Sequence, residues 1–159
     1  MRIGVIILCC AALSACGGQQ DLCQRFFEPY PDLISGRMRT EQNAALLSAM
    51  RQYGEGEYGK AAEGLESILR IGARSPQERV YLACCYLALG RPYDAEYQLD
   101  RVESAPEKDY KDVADWYNAL CWLCSGQEER AREQARRIMD APAHAYKQQA
   151  RDLVEALSP

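Results

Sequence analysis

The sequence predicts an all-α fold, an antiparallel helix-hairpin solenoid of two to three repeats closed by a C-terminal capping helix. Three observations carry that expectation. Glycines recur at Gly56, Gly90 and Gly126, at intervals of 34 and 36 residues. Alanines keep fixed offsets from them: Ala49, Ala83 and Ala119 lie seven residues before, and Ala61, Ala95 and Ala131 five after. Beyond the second alanine, apolar residues return at helical spacing as Leu65 and Ile68, Leu99 and Val102, Ala135 and Ile138.

The elements follow in order. Helices are expected over residues 41–54, 58–71, 76–89, 92–104, 110–125, 127–140 and 143–157. The small alanines let paired helices approach closely, and the glycines allow the turn between them, because glycine alone adopts positive φ cheaply. Ser75-Pro76 and Ala141-Pro142 mark boundaries, since proline is tolerated in a first helical turn. The polar stretch 104–109 accounts for the longer second interval. In the last helix Tyr146, Ala150, Leu153 and Leu157 share one face, as expected of a helix covering the open end of a stack. His144, near its start, reads as a surface residue rather than a ligand.

The repeat spacing resembles the tetratricopeptide repeat (TPR), a 34-residue helix–turn–helix, over residues 41–141. Departures are visible: the usual closing proline is displaced or absent, and Gln52 holds the standard aromatic position of the first unit. The resemblance implies a concave surface lined by the first helix of each hairpin. Its inner positions fall on Leu46, Met50 and Tyr53, then Val80, Cys84 and Leu87, then Trp116, Leu120, Leu123 and Cys124. Trp116 is expected to face that groove and Trp122 the hairpin partner. Such an apolar surface is normally either covered or used. The cover would be the Phe26–Ile34 segment or the last helix; the use would be capture of an apolar or amphipathic peptide.

Residues 22–40 break the repeat pattern. Both phenylalanines of the chain, Phe26 and Phe27, sit here, and Pro29 and Pro31 push Glu28 and Tyr30 toward extended backbone. That is too much apolar mass for a free tether, so the segment is expected to dock on the repeats. Farther upstream, residues 1–15 carry Arg2, an apolar run from Ile3 to Leu13 and then small residues, the order of a secretory signal. Leu13-Ser14-Ala15-Cys16 resembles the lipobox of bacterial lipoproteins. That resemblance implies cleavage before Cys16, acylation of Cys16 by palmitate-type chains and, with Gly17 following, an outer-membrane location facing the periplasm or the surface. Residues 16–21 would be a flexible tether. Loss of residues 1–15 leaves 18 basic against 23 acidic residues, a net charge of −5.

Composition limits the remaining classes. The whole chain of 159 residues has 19 Lys plus Arg against 23 Asp plus Glu, so no basic excess exists to hold a nucleic acid. One histidine starves most His-based metal sites and Ser–His or Cys–His catalysis. No catalytic residue, metal or cofactor is nominated. The expected function is therefore a non-catalytic scaffold or assembly lipoprotein with an unidentified envelope protein or peptide as partner.

Five cysteines lie outside the signal and the lipid position: Cys23, Cys84, Cys85, Cys121 and Cys124. Their odd number argues against a disulfide framework. Cys121-Trp122-Leu123-Cys124 reads either as a redox pair or half zinc site, or as small apolar residues of a helical core. Adjacent Cys84 and Cys85 diverge by about 100° on a helix, which argues against zinc. A further alternative is an accessory in envelope carbohydrate handling, which would require a polar, carboxylate-lined pocket.

Overall fold

The computed structural model describes residues 22–72 and 75–158. The expected signal peptide 1–15, Cys16 and the tether 16–21 lie outside the described residues. Among those residues every regular element is helical. A short helix α1 (residues 22–26) precedes α2 (Ala44–Gly54), α3 (Tyr58–Arg70), α4 (Pro76–Ala88) and α5 (Pro92–Glu103). They are followed by α6 (Lys111–Cys124), α7 (Glu128–Asp140) and α8 (Lys147–Ala156). From α2 onward each helix packs on the next, and α4 also packs on α6. Among the described residues no helix is long and apolar enough to cross a membrane.

The same turn closes α2, α4 and α6. Gly56, Gly90 and Gly126 have φ of 77°, 69° and 87°. In each, the glycine N–H donates to the carbonyl three residues back, at Tyr53, Leu87 and Leu123. The following N–H of Glu57, Arg91 and Gln127 reaches the carbonyl five residues back, at 2.8 Å in all three turns. This paired bonding satisfies the last carbonyls of each helix and needs a left-handed residue at its centre.

Close helix packing follows from the small residues. Ala61, Ala83, Ala95, Ala119 and Ala131 are fully buried. Between α2 and α3 the approach is tighter still, because a Cβ built on Gly64 would lie 2.9 Å from Cβ of Ala49. The core runs unbroken through Met50, Leu65, Leu82, Leu99, Leu120, Ile138 and Leu153.

Helix starts differ from expectation by more than one residue at two places, for local reasons. Residues 41–43 are excluded from α2 because Thr40 and Asn43 cap each other. Thr40 N–H donates to Asn43 Oδ1 at 2.7 Å, and Asn43 N–H to Thr40 Oγ1 at 3.2 Å. The last helix begins at Lys147 rather than at residue 143. Residues 141–146 instead form a loop held to α6, where Ala145 N–H donates to Asp112 Oδ2 at 2.8 Å.

Candidate functional site

Helices α2, α4 and α6 together present one apolar face, and residues 27–34 lie along it. Each helix supplies a tyrosine whose hydroxyl grips the backbone of that segment. Tyr117 Oη donates to the Glu28 carbonyl at 2.7 Å, and Tyr53 Oη to the Tyr30 carbonyl at 2.8 Å. Tyr81 Oη donates to the Pro31 carbonyl at 3.1 Å and accepts the Leu33 N–H at 3.0 Å. Pro29 and Pro31 have no N–H, so the gripped stretch carries few donors to leave unpaired. Tyr30 packs its ring against Tyr81 and Tyr117 at centroid distances of 5.7 and 6.5 Å. Ile34 is fully buried.

A turn ends the segment. Asp32 Oδ1 accepts the N–H groups of Ile34 and Ser35 at 2.8 and 3.0 Å, and its Oδ2 accepts the Ser35 hydroxyl. Burial pushes the Asp32 carboxyl up, but the Ser35 and Ile34 hydrogen bonds outweigh it and hold the group below its ordinary value. Under the strap, burial pushes the Cys84 thiol up to about 11. Burial likewise pushes the Tyr53 and Tyr117 hydroxyls far above their ordinary range, so both remain protonated donors.

A disulfide joins Cys23 to Cys124 across 101 residues, with Cα atoms 4.9 Å apart. It pairs two of the five cysteines and leaves three, so the odd number excludes complete pairing but not this one bond. It also removes the Cys121/Cys124 redox or zinc pair, because Cys124 is bonded to Cys23. Cys84, Cys85 and Cys121 are free and buried, as small residues of a helical core are. Burial pushes Cys85 up to about 12 and Cys121 well above its ordinary value, which leaves these thiols inert.

The inner positions implied by the repeat resemblance do not form an open groove. Met50, Tyr53, Val80, Cys84, Leu87, Trp116, Leu120 and Leu123 are all buried, and Leu46 and Cys124 are partly so. The physical reason is that this apolar face is covered by the chain's own strap. Part of it stays open beside the disulfide, where Phe27, Tyr58, Leu87 and Pro92 line an apolar cavity of about 750 Å³. The tryptophans keep the expected directions, Trp116 toward the strap side with Glu28 and Pro29 and Trp122 toward α7, but their burial is not that of a groove residue and a core residue. Trp116 is 4% exposed and stacks on Tyr146 at 5.8 Å with planes 9° apart, so it belongs to the core under the cap. Trp122 is only partly buried; its Nε1 donates to Glu96 Oε1 at 2.7 Å and the Arg130 guanidinium lies 4.2 Å from its ring.

A second cavity, of about 610 Å³, opens between α5, α6 and α7. Glu96, Asp100 and Glu103 form its α5 wall, Asp115 and Asn118 its floor, and Arg130 and Arg137 its α7 wall. The surroundings are polar and carboxylate-rich, unlike the apolar groove that the repeat resemblance implied. Burial and the nearby Glu96 carboxylate push Asp100 up, partly offset by Arg130. His144 closes one end, and its side chain is buried rather than at the surface.

No family model matches the chain, and no similar protein emerges among curated proteins or solved structures.

Proposed function

We propose that the protein is a lipid-anchored, non-catalytic adaptor of the bacterial envelope, built as a TPR-like solenoid that binds an extended peptide of a partner protein on its concave face. The observation that carries this is the mode in which that face holds the chain's own residues 28–33, a tyrosine grip on extended backbone that a partner segment would displace or extend. Tyr53, Tyr81 and Tyr117, one from each first helix, bond to main-chain groups of an extended segment. Main-chain recognition tolerates many side-chain sequences, and that suits a peptide-binding surface. The cavity beside Cys23–Cys124 offers a partner side chain access without removal of the whole strap. The repeated glycine turns at Gly56, Gly90 and Gly126 support the solenoid reading.

Location rests on Cys16, with the disulfide as independent support, since such bonds persist in oxidising compartments. Cys16→Ser should block lipidation and release the protein from membranes; retention after a high-salt wash overturns the anchor. Photo-crosslinkers placed at Phe27 and Tyr58, both partly exposed on that cavity, should trap a partner, whereas those at exposed Tyr93 or Tyr97 should not. The reverse pattern would move the interface to α5. The polar cavity favours one other reading, an accessory in envelope carbohydrate handling. Saturation-transfer NMR with neutral oligosaccharides, showing contact at Trp122, would support that reading instead.

A further inference from the structure

The loop before α8 holds the chain's single histidine in an unusual state. The His144 side chain is 3% exposed, its Nδ1 accepts the Tyr146 N–H at 3.2 Å, and its enclosed Nε2 has no hydrogen-bond partner. That nitrogen lies 3.4 Å from Asp115 Oδ2 and 3.7 Å from Asp112 Oδ1. Both distances exceed the roughly 2.7–3.2 Å of an N–H···O hydrogen bond. The shorter falls within the separation of ligand atoms sharing one ion, about 3.0–3.6 Å for bonds of about 2.0–2.2 Å, and the longer lies just outside it, so Asp112 would move inward on binding. Three ligand atoms, one from each residue, lie within 4.8 Å of one another. A second enclosed orphan, Asn118 Oδ1, lines the same cavity.

We propose that Asp112, Asp115 and His144 form a binding site for a first-row divalent cation, zinc above all. One imidazole with two carboxylates suits zinc, whereas magnesium and calcium prefer oxygen ligands alone. The aspartates stand three residues apart in the first turns of α6, and the histidine comes from the loop leading to α8. An ion there ties the capping helix to α6, a role separate from peptide binding and independent of it. The protein has its own occupant for part of the site: Lys111 Nζ pairs with Asp115 Oδ2. The two carboxylates outweigh that single ammonium, and a divalent ion displaces it. Ligation through Nε2 puts the ring proton on Nδ1, so the Tyr146 amide must turn away from it. That amide is the built-in reporter of binding.

The test uses untagged, metal-stripped, oxidised protein carrying Cys16→Ser, titrated with zinc chloride by calorimetry and followed by the Tyr146 amide resonance. One zinc per chain should bind, shifting that resonance, while magnesium chloride does neither. His144→Gln should weaken zinc at least about 10-fold. Lys111→Ala should strengthen zinc binding several-fold by removing the competing cation, and it leaves all three ligands in place should His144→Gln fail to fold. No zinc uptake at millimolar concentration, unchanged affinity in His144→Gln, or unchanged or weaker affinity in Lys111→Ala would each overturn the site.

Discussion

Tyr117 on α6 donates its hydroxyl proton to the carbonyl oxygen of Glu28, 89 residues earlier in the chain, at 2.7 Å. With the grips of Tyr53 and Tyr81 it turns residues 28–33 into a strap lying across α2, α4 and α6, every second helix of the chain. Each hydroxyl contributes one hydrogen bond, or two for Tyr81, of about 0.5–1.5 kcal/mol net. Tyr53→Phe, Tyr81→Phe and Tyr117→Phe should each lower stability in urea by about that amount per bond lost. The triple variant should lose hydrogen-exchange protection at Leu33 and Ile34 while the α5–α7 amides keep theirs. Equal loss throughout would mean that the strap is part of the main cooperative unit.

The Cys23–Cys124 bond ties the same strap at its upstream end and closes a loop of 101 residues. A loop of that size places its stabilisation at about 2–5 kcal/mol by restricting the unfolded chain. Reduction, or Cys23→Ser, should lower the melting temperature accordingly. Thiol titration supplies a count. Oxidised protein that lacks residues 1–15, and with them Cys9 and Cys10, and carries Cys16→Ser should expose no reactive thiol when native and three after unfolding, from Cys84, Cys85 and Cys121. Five after unfolding without reductant would show that the bond does not form.

The helical frame was legible in the sequence because its determinants are local and repeated. Gly56, Gly90 and Gly126 mark the turns through a conformation open chiefly to glycine, and the alanines mark the helix contacts. The partners of Cys23 and of the tyrosines were not legible, since each pairing joins positions 23 to 101 residues apart that only the fold brings together. One signal was present for two of the tyrosines. Tyr81 and Tyr117 repeat at 36 residues, the interval of Gly90 and Gly126, which marks them as equivalent positions. Tyr53 joins them from six residues later in its own repeat, where Leu47 holds the equivalent place. His144 was misjudged because helix periodicity was extended back through a loop that Asp112 and Tyr146 fold inward.

Asp32 makes the end of the strap sensitive to acid. Its carboxyl is held below the ordinary range, so its bonds stabilise the folded state above the unfolded value of about 3.9. That contribution fades as pH falls through the folded value. Exchange of the Ile34 and Ser35 amides should therefore gain a pH-dependent component below about pH 4 beyond the intrinsic rate. Asp32→Ala should show the unprotected behaviour at pH 7. An unchanged protection factor in that variant would place the turn's stability in Ile34 burial instead.

Removal of α8 should be felt through the whole molecule. Truncation after Pro142 takes away Ala150 and Leu153, which are fully buried, together with Tyr146 and Leu157. Each Leu-sized side chain removed from the core takes about 1.5–3 kcal/mol with it, against a total stability of about 5–15 kcal/mol. It also uncovers Trp116. The truncated chain should melt well below the full-length protein, and an unchanged melting temperature would show that the cap is peripheral.

The two tryptophans give the sharpest contrast, because the fold assigns them unequal work. Trp116 is enclosed, stacks face to face on Tyr146, and couples α6 to the segment entering α8. Its replacement by alanine empties a ring-sized volume that the core can refill only in part, so Trp116→Ala should lose about 3–5 kcal/mol. Trp122 lies on the other side of α6, half covered, with its indole N–H on Glu96 and Arg130 over its ring. Trp122→Ala forfeits a hydrogen bond to a charged acceptor, about 1.5–3 kcal/mol, and a partly exposed cation–π contact worth about 0.5–1 kcal/mol, while leaving a gap open to solvent. Some of that loss returns as water reaches Glu96 and Arg130, so its destabilisation should be the smaller of the two. Fluorescence separates them further: the emission that remains in Trp122→Phe should be blue-shifted and poorly quenched by iodide, as befits an enclosed Trp116. Equal quenching of the two single-tryptophan variants would place Trp116 at the surface and refute the stack under the cap.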